Sequence, residues 1–135
     1  MTSQLSTEIK LVDHVGIRVS NLSAALNFYR LLGFKIDKDE CYPKYHSTGL
    51  INKQGVRLNL INTAQPNKSY QFNILFDEDK LFPGLTHIAF VVCNLQDQIQ
   101  LFKQQGITIT EGPIGLKRRE AIFIRDPDGN VKWLH

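Results

Sequence analysis

The stretch VDHVGIRVSNLSAALNFYRLLGFKI lies over LTHIAFVVCNLQDQIQLFKQQGITI without a gap, at a constant offset of 73 residues. His14 falls on His87, Asn21 on Asn94, Leu22 on Leu95 and Gly33 on Gly106. Apolar positions match in kind: Val15 with Ile88, Ile17 with Phe90, Tyr29 with Phe102. Solenoids need three or more stacked copies, so two copies mean a duplicated module.

Each copy begins with an alternating strand, 13–19 and 86–92. Val15, Ile17 and Val19 point one way; His14, Gly16 and Arg18 point the other. A helix follows. Asn21 and Asn94 are N-cap residues whose side-chain oxygens can accept from the first free N–H groups. Leu22, Leu26 and Tyr29 form an apolar stripe, as do Leu95, Ile99 and Phe102. Gly33 and Gly106 stand where a helix end wants a left-handed residue, and a second strand is expected from Phe34 or Ile107. HSTGLINKQGVRLNLI then fits over EAIFIRDPDGNVKWLH at an offset of 74, which superimposes the turns at 52–55 and 126–129.

Each module therefore reads β-α-β-β-β. The prediction is one domain over 1–135, with modules at 9–61 and 84–135 and a linker at 62–83. Within the linker, QFNILF is a candidate extra strand. Phe72, Leu75 and Phe76 could form a lid or simply pack in the core.

Composition excludes several classes. A net charge of +3 with scattered basic residues does not argue for nucleic acid, and the one dense run, Lys117-Arg118-Arg119, reads as a solvated loop. No apolar run reaches membrane-spanning length, and MTSQLSTEIK lacks the apolar stretch of a signal peptide. Cys41 and Cys93 show no CxxC spacing and read as buried fillers in a reducing compartment, so a cytoplasmic protein is expected.

Strand parity assigns the faces. The apolar side of each first strand must bury against its helix, which turns His14 and His87 to the opposite, concave side. In the last strand of the first module, Leu58 and Leu60 face the helix, so Arg57, Asn59 and Ile61 face the concavity. By the offset of 74, Trp133 corresponds to Asn59 and His135 to Ile61, which puts both on the concave side as well.

The repeat, together with DHVGIRVSNLSAALNFYRLLGF, GLTHIAFVVCNL and RDPDGN, resembles the vicinal oxygen chelate superfamily over residues 9–135. That group includes glyoxalase I, fosfomycin-resistance enzymes, bleomycin-resistance proteins, methylmalonyl-CoA epimerases and extradiol dioxygenases. The resemblance implies an α+β fold in which two βαβββ modules pair into an open β-barrel or cup, often completed in a homodimer. It also implies a small-molecule ligand in the cup and a divalent metal (Zn, Ni, Mn or Fe) held by the first and last strands of each module. In this chain those positions hold His14, Asn59, His87 and Trp133.

The resemblance is imperfect where the chemistry sits. Family enzymes usually carry a carboxylate where Asn59 and Trp133 stand. An indole N–H only donates and cannot ligate, and two neutral imidazoles leave a dication's charge uncompensated. His135 could complete a His14, His87, His135 set, provided the terminal residue is tied down. Glu120, opening the penultimate strand, is the nearest spare carboxylate. Without a metal, His14 and His87 could act as proton donor and acceptor. Arg18 and Arg57 could receive a carboxylate or phosphate, Asn59 could orient a ligand, and Trp133 could stack on one. Two functions follow. One is metal-assisted glyoxalase- or dioxygenase-like chemistry of the lyase, isomerase or oxygenase type. The other is metal-free binding of a drug or aromatic compound, in the manner of bleomycin-resistance proteins.

Overall fold

The computed structural model describes residues 6–65, 75 and 83–135. The expected duplication is present. In the first module β1 (Val15–Arg18) leads to α1 (Leu22–Leu31), then β2 (Lys35–Ile36), β3 (Ser47–Ile51) and β4 (Arg57–Ile61). In the second, β5 (His87–Phe90) leads to α2 (Leu95–Gln105), then β6 (Glu111–Gly115), β7 (Glu120–Arg125) and β8 (Val131–Leu134). The strands form two four-stranded mixed sheets, ordered β1-β4-β3-β2 and β5-β8-β7-β6. The first strand of each module pairs in parallel with the last, and the remaining pairs are antiparallel. The register repeats as well: Gly16 lies opposite Asn59, and Ala89 opposite Trp133. This is the α+β class expected, with two separate sheets and no closed barrel among the described strands. The lid and extra-strand positions at 71–76, Leu75 apart, lie outside the described residues.

Local chemistry starts and stops the helices as the sequence predicts. Asn21 Oδ1 accepts from the Ala24 amide and Asn94 Oδ1 from the Asp97 amide, each at 3.0 Å. Gly106 takes a left-handed conformation (φ 74°) and closes α2, which a side chain would strain. One boundary differs from expectation. Pairing of β6 begins at Glu111 rather than near Ile107, because Ile107 and Ile109 are drawn onto the apolar core under α2. No helix among the described residues is long and apolar enough to cross a membrane.

Two apolar clusters hold the sheets to the helices. The first gathers Ile17, Val19, Ala25, Tyr29, Phe34, Leu50, Leu58 and Leu60; the second gathers Ile99, Phe102, Ile122, Ile124 and Leu134. Full burial of such a side chain contributes about 1.5–3 kcal/mol. The clusters interlock, since Phe28 of α1 and Leu32, which caps its end, touch both, and Ile88 and Phe90 of β5 pack on the first.

A polar clasp joins the modules at the same place. Buried Tyr29 donates its hydroxyl to Asp126 Oδ2 at 2.7 Å, and Ser20 donates through its amide and its hydroxyl to Asp128. Lys132, only 1% exposed, sets its ammonium 5.5 Å from the centre of the Tyr29 ring. Burial pushes the Lys132 pKa down to about 8, against a smaller raising effect of Asp126.

Candidate functional site

The pleat decides what each sheet presents on its concave side. On β8, Lys132 and Leu134 turn to the helix side and are buried, while Trp133 turns to the other face. Trp133 lies directly opposite Phe123 of β7 and Ala89 of β5. His87, two residues before Ala89, comes to the same face. The result is an aromatic cluster. The His87 and Trp133 rings stack at 5.3 Å and 24°, the Phe123 and Trp133 rings tilt at 5.3 Å, and His135 meets Trp133 edge-on at 6.1 Å. Phe123 also meets His87 edge-on at 6.4 Å.

His135 is not a frayed end. Its amide donates to the Phe90 carbonyl at 3.1 Å, and its own carbonyl accepts from the Val92 amide at 2.8 Å. It thereby extends the β5–β8 pairing by one residue. Among the described residues, Trp133 Nε1 and His135 Nδ1 are buried without a hydrogen-bond partner. Such orphans are uncommon in folded chains and mark this face as polar-competent but unsaturated. His87 Nδ1 is engaged by Thr86 Oγ1 at 2.8 Å.

The concave side of the first sheet is built differently. The turn at 38–40 lies across it. A Cβ added at Gly49, which faces Asn59, would stand 2.6 Å from the Glu40 carbonyl oxygen, so only glycine admits the turn. Arg57 Nη2 is held by Asp37 at 3.2 Å and Glu40 at 3.3 Å. Its charge is thus met within the chain. Arg18 is exposed and donates from Nε to Thr63 Oγ1 at 3.1 Å. Asn59 is half-buried at its expected place. His14 is 44% exposed in its side chain and pairs through Nδ1 with Asp13 at 2.7 Å. That hydrogen bond is the main cause holding the Asp13 carboxyl below its ordinary range. His14 and Arg57 also line an open cleft of about 1050 Å³, walled on its far side by 88–94 and Leu101. The aromatic cluster lies outside that cleft's described lining.

The predicted residues therefore divide. His87, Trp133 and His135 come together; His14, Arg18, Arg57 and Asn59 belong to the other sheet. The three-imidazole set is not assembled: among the described residues, no group of three or more His, Cys, Asp or Glu is placed to hold a metal ion. The reason is topological, since His14 precedes β1 and lies at the edge of a different sheet from His87 and His135. With an indole between His87 and His135 as well, the donors present do not fit a dication. Glu120 is also displaced from the site. It opens β7 on the helix side, where Gln96 approaches it at 3.5 Å. Cys93 is exposed rather than buried, because it stands in the loop entering α2, and Cys41 is half-buried with its thiol on the Asp37 carbonyl.

Sequence reading missed Phe123 and the carboxylates that hold Arg57. Phe123 was legible in principle: parity on Glu120–Arg125 puts Ala121, Phe123 and Arg125 on the Trp133 face once the hairpin register is known.

Comparison with known proteins places the whole chain. The model of the Glyoxalase/Bleomycin resistance protein/Dioxygenase superfamily matches residues 11–134. Virulence protein STM3117 of Salmonella typhimurium is 30% identical over 131 residues, covering 91% of this chain and 81% of that protein. Metallothiol transferase FosB of Staphylococcus epidermidis is 26% identical over 131 residues, covering 95% of this chain and 82% of its own. Among solved structures, a glyoxalase/dioxygenase from Nostoc punctiforme superposes with a TM-score of 0.75 at 20% identity, covering 99% of this chain and 96% of that one. That last likeness speaks to fold.

Proposed function

The chain belongs to the glyoxalase/bleomycin resistance protein/dioxygenase superfamily, and from that premise we propose that it is a small-molecule binding protein working without a resident metal. Its ligand is a planar aromatic or aromatic-cation compound taken up on the concave face of the second sheet. One observation carries this reading: Trp133 stacks on His87, with Phe123 and His135 around it, at the position where family enzymes keep a carboxylate. Aromatic faces favour offset stacking and attract cations, and each such contact is worth about 0.5–1.5 kcal/mol beyond the area it buries. Sequestration needs affinity and exclusion of water, and no activated nucleophile.

Trp133 is the chain's one tryptophan, so its fluorescence reports on this face alone. Planar aromatic compounds titrated in the presence of EDTA should quench it saturably, and His87→Ala should weaken the effect. A panel of such compounds that leaves the emission unchanged contradicts the proposal.

A second reading retains metal-assisted or acid–base chemistry through His14 and His87. It is favoured by a shared detail: in each module the side chain before the histidine engages Nδ1, Asp13 at 2.7 Å and Thr86 at 2.8 Å, which leaves Nε2 for a ligand. In that reading FosB, named as a metallothiol transferase, is the relevant relative. The partner in either case is a second copy of the chain. Leu85 and Val91, which flank edge strand β5, are 90% and 79% exposed, and an uncovered apolar edge favours self-association. Light scattering at micromolar concentration should give twice the chain mass; a monomer at every concentration contradicts the homodimer.

A further inference from the structure

We infer that the seam between the two modules holds a second ligand site, for a small neutral compound that presents an N–H beside a carbonyl, such as a lactam or cyclic urea. The site is a cavity of about 380 Å³ at the last turns of α1, the end of α2 with the segment that leaves it, and the end of β7. That volume lies at the lower end of the roughly 300–1000 Å³ of ligand pockets. Both modules wall it: Phe28 and Leu31 come from the first, and Gln105, Ile107 and Asp126 from the second. None of His87, Phe123, Trp133 and His135 belongs to its described lining. The site is therefore distinct from the aromatic face and does not depend on the function proposed for it.

The polar groups decide what the cavity can take. Its two charged residues are already answered from within the chain. Arg125 Nη2 donates to Glu111 at 2.9 Å. Asp126 Oδ1 accepts from the amides of Asp128 and Asn130, and Oδ2 accepts from the Tyr29 hydroxyl and from Asn130 Nδ2. Neither charge is left over, which favours a neutral ligand. Gln105, the last residue of α2, is different. Its Oε1 is buried and has no hydrogen-bond partner among the described residues. A buried carbonyl oxygen without a donor is costly, and few occur in folded chains. A carboxamide carries an acceptor and a donor side by side. The edge that complements it is an N–H next to a C=O, which pairs with it through two hydrogen bonds. Phe28, Leu31 and Ile107 then supply apolar walls for the ligand's carbon skeleton.

The test is NMR of the ¹⁵N-labelled full chain, titrated with δ-valerolactam and with its N-methyl derivative. The lactam is saturated and has no aromatic face to stack on Trp133; the derivative keeps the ring and loses the N–H. The lactam should saturably shift the Gln105 side-chain amide and the backbone amides of Gly106 and Ile107, while the Trp133 indole N–H stays unmoved. The N-methyl compound should bind wild type at least about fivefold more weakly, the scale of one lost hydrogen bond. Gln105→Leu should weaken the lactam to the same degree, with an unchanged Trp133 indole signal showing that the variant is folded. The comparison of the two compounds on wild type needs no variant at all. No saturable shift at the seam, which would mean that solvent alone serves Gln105, overturns the inference. So does equal binding of the two compounds, or undiminished binding by folded Gln105→Leu. None of these results touches the quenching of Trp133 by planar aromatic compounds, so the reading of the aromatic face is tested separately.

Discussion

The two modules share a backbone and differ in what they do with it. Their hairpin turns are the same device. Asn52 Oδ1 accepts from the amides of Gln54 and Val56 at 3.0 and 2.9 Å, and Asp126 Oδ1 accepts from those of Asp128 and Asn130 at 3.0 and 2.9 Å. Only the second turn carries carboxylates, and through them, among the described residues, it reaches across to the other module, where Tyr29 and Ser20 meet it. The repeat counterpart of Tyr29 is Phe102, which has no hydroxyl to offer. The concave faces diverge in the opposite sense. The first is closed by its own turn at 38–40, with Arg57 held between two carboxylates; the second presents four aromatic rings. Duplication fixed the frame, and the residues on the two faces then diverged within it.

The most damaging way to break this asymmetry is at Tyr29. Tyr29→Ala should cost about 3–5 kcal/mol in denaturant unfolding, because it empties a fully buried site and leaves Asp126 short of a donor. Tyr29→Phe, which makes the first module resemble the second, should cost about 1–3 kcal/mol. Equal stability of Tyr29→Phe and wild type would mean that the clasp is idle.

The buried lysine gives the next largest effect, and it is read by pH. Lys132 titrates near 8 in the folded chain and near its ordinary 10.5 when unfolded. Between those values the unfolded chain binds more protons, so stability rises with pH, by on the order of 3 kcal/mol across the window. Below pH 8 the penalty of burying the charge is present in full. Tyr29 acts in the opposite sense. Burial and then Asp126 hold its hydroxyl well above the ordinary 10.0, so its contribution is lost as pH climbs past 10. Unfolding measured from pH 7 to 10 should show the rise, and Lys132→Met should flatten it. A flat wild-type profile would contradict the placement of Lys132.

Gly49→Ala sharpens the contrast between the faces. The added methyl meets the Glu40 carbonyl, and the turn must lift, at a cost of about 1–3 kcal/mol. The matching contrast in the turns is smaller still. Asp128→Ala should cost about 1 kcal/mol through loss of the Ser20 bonds. Gln54→Ala, at the equivalent place in the first module, should stay within about 0.5 kcal/mol of wild type.

The frame was legible because duplication doubles every signal. A lone Asn before a helix or a lone Gly after one is weak evidence, but Asn21 with Asn94 and Gly33 with Gly106 are two independent observations of one rule. Parity alone placed His87, Trp133 and His135 on a common face. What parity could not give was distance. It treats His14 and His87 as equivalents, and they are, but on two sheets that are not hydrogen-bonded to each other. Nor could it see that Asp37 and Glu40 fold back to hold Arg57, since a turn of 3₁₀ type leaves no periodic trace. Nor does parity foretell how deeply Lys132 is buried. Its burial follows from the second module docking on Tyr29, a tertiary fact.

The central claim is that ligands meet the second sheet and not the first. Chemical-shift mapping of ¹⁵N-labelled protein with a saturating planar aromatic compound in EDTA tests it most directly, and the single indole N–H gives one resolved marker. The expected result is perturbation of the Trp133 indole and of the amides around His87, Phe123 and His135, with those of His14, Arg18, Arg57 and Asn59 unmoved. Shifts centred on the first sheet, or shifts that appear only when Zn²⁺ replaces EDTA, would contradict it.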